Sequence, residues 1–187
     1  MEVPMMLRSA VEEFGARVSE IRDGQWETAT PDTEWCVRDL VNHVVSEDLW
    51  APSLLAGSTI SEVGDRFDGD VLGPDPQGAW RAASGHALAA ADAPGAMDRT
   101  VHLSFGDFPG REYAMQLFAD HLIHAWDLAR AIGADEWLDP ALVEGCTAWF
   151  AALEDAYRGA GAIAGRPPIP DGAGAQTRLL AMFGRQA

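Results

Sequence analysis

The sequence predicts an all-α fold, a four-helix bundle with a short β excursion before its most polar helix and a small C-terminal helix. Three observations predict it. Apolar residues recur at three- and four-residue spacing over several long stretches. The segments between them are rich in Gly, Asp and Pro. Only one short stretch, residues 98–104, alternates as a strand does. At 187 residues the chain suits a single domain, with a core over about 5–158 and a connector and docking helix over 159–187.

The first helix is expected from Met5 to Arg22, where Leu7, Val11, Phe14, Val18 and Ile21 mark one face and Asp23-Gly24 ends it. A loop through Trp35 leads to Cys36, which stands at an N-cap position with Asp39 three residues on, as in a capping box. A thiol at a helix N-terminus can become reactive, but one unpaired Cys at a loop boundary reads more simply as tolerated there. The second helix, Val37 to Leu55, carries Leu40, Val41, Val44, Val45 and Leu49 on its apolar side, with His43 among them. Glu47, one turn further, reads as surface charge; the alternative is that it packs against His43 or orients it.

Residues 57–77 read as a solvated loop. Asp65, Asp68 and Asp70 within it lack the Gly and terminal Glu of a calcium loop. A third helix, Pro76 to Ala91, has Trp80, Ala83, Ala87 and Leu88 on one side and also carries His86. Asp98 to Ser104 and the turn-rich SFGDFPG form the extended excursion, in which His102 reads as structural. The polar helix follows, from Arg111 to Ile132, and Gly133 stops it. Asp139-Pro140, an N-cap followed by N1, opens another helix to about Arg158 with Leu142, Val143, Cys146, Trp149, Phe150 and Leu153 inward. A Gly- and Pro-rich connector then leads to QTRLLAMFGRQ, a short helix that docks Leu179, Leu180 and Phe183.

Composition narrows the function. A formal net charge of −16 argues against nucleic acid and anionic membrane surfaces, which require cations to neutralise phosphate. All 13 basic residues are Arg, so Schiff-base chemistry and a Walker-type phosphate lysine are absent together. The two cysteines, Cys36 and Cys146, have no paired spacing, which argues against a disulfide framework. With no apolar run approaching ~20 residues and no signal-peptide pattern, the expectation is a soluble cytoplasmic protein, monomeric or homodimeric.

The polar helix holds the chemistry. Asp120, His124 and Asp127 fall at offsets of zero, four and seven and so project from one helical face. A carboxylate and an imidazole one turn apart can hold a divalent metal, but a salt-bridged Asp beside a satisfied core His has the same spacing. His43 on the second helix offers a third ligand. His121 lies about 100° round the helix from Asp120, which makes it the weaker ligand candidate. Asp127 reads as a packing hydrogen-bond acceptor or as a partner that orients a ligand histidine from behind.

WCVRDLVNHVV, together with D-x-x-x-H-x-W-D-L-A-R-A-x-G over Asp120 to Gly133, resembles the DinB-like superfamily, within it the mycothiol-dependent maleylpyruvate isomerase-like branch. The closing RPPIPDGAGAQTRLLAMFGR is similar to the tail of short members of that branch. The resemblance implies a four-helix bundle that binds zinc or nickel through one His on the second helix and a carboxylate-x-x-x-His pair on a later one, here His43, Asp120 and His124. The chain departs from the isomerase pattern in having Asp120 where Glu is expected, and it lacks the larger isomerases' additional C-terminal domain.

Two imidazoles and one carboxylate leave a zinc-like ion an open position, as catalytic sites do. The expected function is a metal- and thiol-dependent transferase or isomerase acting on a small-molecule electrophile, with mycothiol as the thiol cosubstrate. A non-catalytic metal-binding or stress-response module and a metal-dependent hydrolase are the alternatives. A pocket at the open position is expected to be lined by Trp35, Trp80 or His86.

Overall fold

The structure, a computed structural model, describes residues 1–32 and 34–187; Thr33, within the loop expected after the first helix, lies outside them. The elements run α1 (Val3–Glu20), α2 (Val37–Leu55), α3 (Ile60–Val63), α4 (Pro76–Ala91), β1 (Thr100–Leu103), β2 (Gly106–Pro109), α5 (Gly110–Ile132), α6 (Pro140–Phe150), α7 (Glu154–Gly159) and α8 (Ala175–Met182). They form two compact units, Met1–Asp135 and Glu136–Ala187. Helix α6, expected to continue the core of the bundle, belongs to the second unit.

In the first unit α1, α2, α4 and α5 make a four-helix bundle in which α1 and α2 each pack on both α4 and α5. Helix α1 begins at Val3, with Pro4 in its first turn where the missing N–H costs nothing, and stops at Glu20 because Ile21 is extended. It buries Leu7, Ala10, Val11, Phe14 and Val18. Helix α5 is buried almost all round, with Leu117, Phe118, Leu122, Ala125, Trp126 and Leu128 each at most 2% exposed. A helix covered on every side is the central one, and its polar residues must find partners within the protein. Truncating a fully buried Phe such as Phe118 to Ala typically costs about 3–5 kcal/mol.

Residues 57–77 are not a free loop. Thr59 and Glu62 form a capping box that starts α3, and Val63 and Leu72 are buried. The chain then runs along α2 as a strap. Arg38 donates to the Asp70 carboxylate at 2.8 Å and to the Gly73 carbonyl at 3.1 Å. Asn42 donates to the Gly69 carbonyl and accepts from the Val71 N–H, each at 2.9 Å. Ser46 donates to the Phe67 carbonyl at 3.2 Å, and the Trp50 ring lies edge-on to Phe67 at 6.1 Å. These four residues recur every fourth position, so one stripe of α2 holds the strap while another faces the bundle. Asp70, weighed as a calcium ligand, instead accepts from the Leu72 and Gly73 N–H groups and pairs with Arg38.

The β excursion is an antiparallel hairpin, Thr100 opposite Pro109 and Leu103 opposite Gly106, that delivers the chain to α5. Gly110 is required at that entry, because a Cβ there would sit 2.0 Å from the Ala96 carbonyl oxygen. His102 bonds Asp107 across the hairpin at 2.7 Å, the structural role expected of it. At the far end Gly133 caps α5 at φ 72°, a left-handed conformation that favours glycine.

In the second unit the helix expected from Pro140 to Arg158 divides into α6 and α7, with a turn over residues 151–153. The turn leaves Phe150 stacked on Phe183 at 4.0 Å and edge-on to Tyr157 at 5.3 Å, a tertiary packing that helical periodicity does not encode. Asp139 caps α6 by accepting from the Ala141 N–H at 2.7 Å, and α8 buries Leu179 and Leu180.

Candidate metal centre

Packing of α2 against α5 brings together the three residues singled out as ligands. His43 Nε2 lies 3.3 Å from Asp120 Oδ1, and His124 Nε2 lies 3.4 Å from the same oxygen. Each of the three residues offers one ligand atom, and these atoms all lie within 4.8 Å of one another. Zinc bonds of about 2.0–2.1 Å in a tetrahedron place neighbouring ligand atoms roughly 3.3–3.4 Å apart, so both separations suit such an ion. The second Asp120 oxygen, Oδ2, is buried and has no hydrogen-bond partner among the described residues. A buried carboxylate oxygen without a partner is costly, and a cation on this carboxylate relieves that cost. The donor set therefore fits a divalent metal. The side chains of His43 and Asp120 are 29% and 27% exposed and that of His124 is 8% exposed, so the cluster opens on its His43–Asp120 edge.

Electrostatics follows the geometry. Burial opposes ionisation of Asp120, but the His43 and His124 imidazoles outweigh it and hold the carboxyl well below its ordinary range. Burial likewise opposes the charge on His124, yet Asp120 and then Asp127 push its pKa up to about 9. His124 Nδ1 bonds the fully buried Asp127 at 2.9 Å. A carboxylate on Nδ1–H fixes the tautomer that presents Nε2 to Asp120, the arrangement typical of metal-ligating histidines. Asp127, read as a packing acceptor first, thus touches a candidate ligand directly.

The other expected site residues separate. Trp35 lies against the cluster, its ring 4.8 Å from that of His43 and 5.7 Å from that of His124. Trp80 is buried against Phe14 and His121, at 4.9 and 5.7 Å. His86 is exposed on α4. Glu47, read as surface charge, is half-buried, and burial followed by the Asp120 charge raises its pKa. The Cys36 thiol is held by Asp39 at 3.0 Å, and burial together with that bond raises its pKa, the opposite of an activated thiol. Burial pushes the Cys146 thiol up to about 12.

Sequence reasoning missed one carboxylate. Asp48 is fully buried on α2 and faces His121 across the seam, Oδ2 to Nε2 at 3.3 Å. His121 Nδ1 bonds the Leu117 carbonyl at 2.7 Å. An imidazole that donates from Nδ1 to a carbonyl and from Nε2 to a carboxylate carries both protons, and Asp48 raises its pKa against the opposition of burial. The signal was present: Asp48 interrupts the apolar stripe Val41, Val44, Val45, Ala51 and Leu55. Asp48 Oδ1 and the Tyr113 hydroxyl are buried without hydrogen-bond partners among the described residues.

The mostly helical structure with its small two-stranded sheet is consistent with the DinB-like fold. Residues 7–129 match the mycothiol maleylpyruvate isomerase N-terminal domain, and the chain belongs to that family. It is also similar to two uncharacterized proteins of Mycobacterium tuberculosis, from strains CDC 1551/Oshkosh and ATCC 25618/H37Rv, each 34% identical over 191 residues that cover 99% of this chain and 98% of the relative. No solved structure matches the chain. None of its helices, among the described residues, is long and apolar enough to cross a membrane.

Proposed function

We propose that the chain binds a divalent ion, zinc or nickel, through His43, Asp120 and His124, and that it transfers a low-molecular-weight thiol, mycothiol, to a small electrophile or isomerises that electrophile through reversible thiol addition. One observation carries the reading: three protein ligand atoms converge with one edge open to solvent. Three ligands and a free position characterise catalytic zinc sites, whereas structural sites are closed by four. Membership of a mycothiol-related family supports the choice of thiol.

When bound, such an ion lowers the pKa of a thiol or water that enters its open position and so supplies a nucleophile near neutral pH. The chain's own residues prepare the place. His43 and His124 offer neutral nitrogens, and Asp120 contributes one negative charge, so the centre keeps a net positive charge that favours an anionic sulfur. Asp127 holds His124 in register from the inner side. Addition of the thiolate to a conjugated double bond would form a C–S bond as the C=C π bond breaks and its electron pair passes to the conjugated carbonyl; protonation of that enolate at carbon would give a thioether, the transferase outcome. Departure of the same sulfur after rotation about the former double bond gives the cis–trans isomer. With water in place of the thiol the same residues serve a hydrolase.

The test is metal content of protein purified without an affinity tag, beside His124→Ala, followed by calorimetric titration of the metal-loaded form with mycothiol. The expected outcome is one equivalent of metal, lost in the variant, with saturable thiol binding that requires the ion. Metal without thiol binding would favour the hydrolase or a non-catalytic metal-binding module. No metal in either protein would overturn the ligand assignment.

A further inference from the structure

The main chain of Trp35 is held by the turn that carries it. The Thr30 N–H and the Thr30 hydroxyl both reach the Trp35 carbonyl at 3.0 Å, the Trp35 N–H bonds the Asp32 carbonyl at 3.0 Å, and Ala29 pairs with Cys36 in an antiparallel bridge. One residue later α2 begins, so the turn that carries Trp35 is continuous with the helix that carries His43. The indole is half-buried and tilted 35° to the His43 ring and 42° to the His124 ring. Among the described residues it is the one ring, besides their own, that lies against both imidazoles. The opposite side of His124 is closed by the fully buried Asp127. The more exposed side of the cluster is its His43–Asp120 edge, and Trp35 stands beside His43.

We propose that the Trp35 indole is the wall that determines which ligand the centre accepts, and that it selects flat, conjugated molecules over small saturated ones by stacking. The inference rests on the reading of His43, Asp120 and His124 as metal ligands and deepens it, since it names the shape class of the electrophile. An indole has only two side-chain torsions to fix on binding and offers a large apolar face. Offset stacking on that face favours a planar ring by roughly three- to tenfold over a ligand without one.

The probes are acetohydroxamate and benzohydroxamate, which share a metal-binding head and differ by a flat ring. Their affinities for the zinc-loaded protein are measured by calorimetry, and the cobalt-loaded protein gives an independent absorption readout. In the wild type benzohydroxamate should bind more tightly. Trp35→Ala should erase at least about threefold of that preference, leave acetohydroxamate within about twofold, and keep the bound metal. Trp35→Phe should retain the preference, and Trp35→Leu, which preserves bulk without a π-face, should lose it; the Phe and Leu pair decides the matter if the Ala variant does not fold. An unchanged preference in Trp35→Leu and Trp35→Ala overturns the proposal. Equal loss of both hydroxamates also overturns it, since the indole would then only brace the imidazoles. If neither hydroxamate binds the metal-loaded wild type, the open position itself is wrong, and the proposed function fails with the inference.

Discussion

Three residues apart on α5, His121 and His124 both face carboxylates, yet their surroundings give them different work. His121 and Asp48 are wholly buried, and the imidazole spends both nitrogens on protein acceptors, the Leu117 carbonyl and Asp48. His124 spends one nitrogen on Asp127 and turns the other to a cluster that reaches solvent. The first pair clamps α2 to α5. The second leaves a candidate ligand nitrogen and a carboxylate oxygen without a hydrogen-bond partner among the described residues beside a solvent-facing edge. What distinguishes a structural histidine from a candidate ligand here is not residue type, but whether the carboxylate at its second nitrogen is sealed in the core, as Asp48 is, or is shared with another imidazole at a partly exposed edge, as Asp120 is.

The sharpest way to break that contrast is to remove Asp48. Asp48→Ala leaves a buried imidazolium without its counter-ion, and urea denaturation should show a loss of about 3–5 kcal/mol. Replacing Asp48 and His121 together by Leu should recover most of that loss, because neither charge then remains uncompensated. Bound metal per folded molecule should be the same in all of these proteins.

The candidate ligands should behave in the opposite way. His43→Ala should weaken metal binding by more than about 100-fold, beyond what loss of an outer-shell partner costs, as measured by competition with a chelator. Its metal-free stability should fall less than that of Asp48→Ala, since the His43–Asp120 pair is partly exposed. Asp127→Asn removes only the charge behind His124 and should weaken binding by about 10- to 100-fold on the same assay.

The smallest effect is in pH. His124 holds its proton up to about pH 9 in the metal-free protein, and the ion must displace it. Between pH 7 and pH 8 metal affinity should therefore rise about tenfold, levelling off above 9. Because this pKa is raised from 6.5, the stability it contributes is fully present below 6.5 and is lost as pH rises through about 9. The metal-free protein should melt at a lower temperature at pH 9.5 than at pH 7. The metal-loaded protein, whose His124 is already neutral, should lose less.

Much of the bundle is legible in the sequence because helical periodicity and end signals agree. Val37 to Leu55 and Pro76 to Ala91 are bounded by the residues that their N-cap positions and apolar stripes indicate. The spacing of Asp120 and His124 is a local property and reads directly, and His43 joins them through the family likeness. What does not read is tertiary. The strap over residues 64–73 depends on Arg38, Asn42 and Ser46 satisfying backbone groups some thirty residues away. The break between α6 and α7 accompanies the stacking of Phe150 on Phe183. Asp48 looks like an isolated acid until α5 brings His121 opposite, although its place in an apolar stripe marks it in hindsight.

Helix α2 is read twice along its length, inward by His43 and Asp48 and outward by Arg38, Asn42 and Ser46. Loss or gain of one residue between Arg38 and Ser46 turns everything beyond it by about 100°. Such a change cannot be absorbed by either side: if the strap keeps its partners, the clamp with His121 is lost, and the reverse holds equally. A point substitution on this helix disturbs one contact, whereas a change in its length disturbs one whole face, so insertions and deletions among natural variants should collect in the hairpin tip and the C-terminal connector and spare residues 38–48.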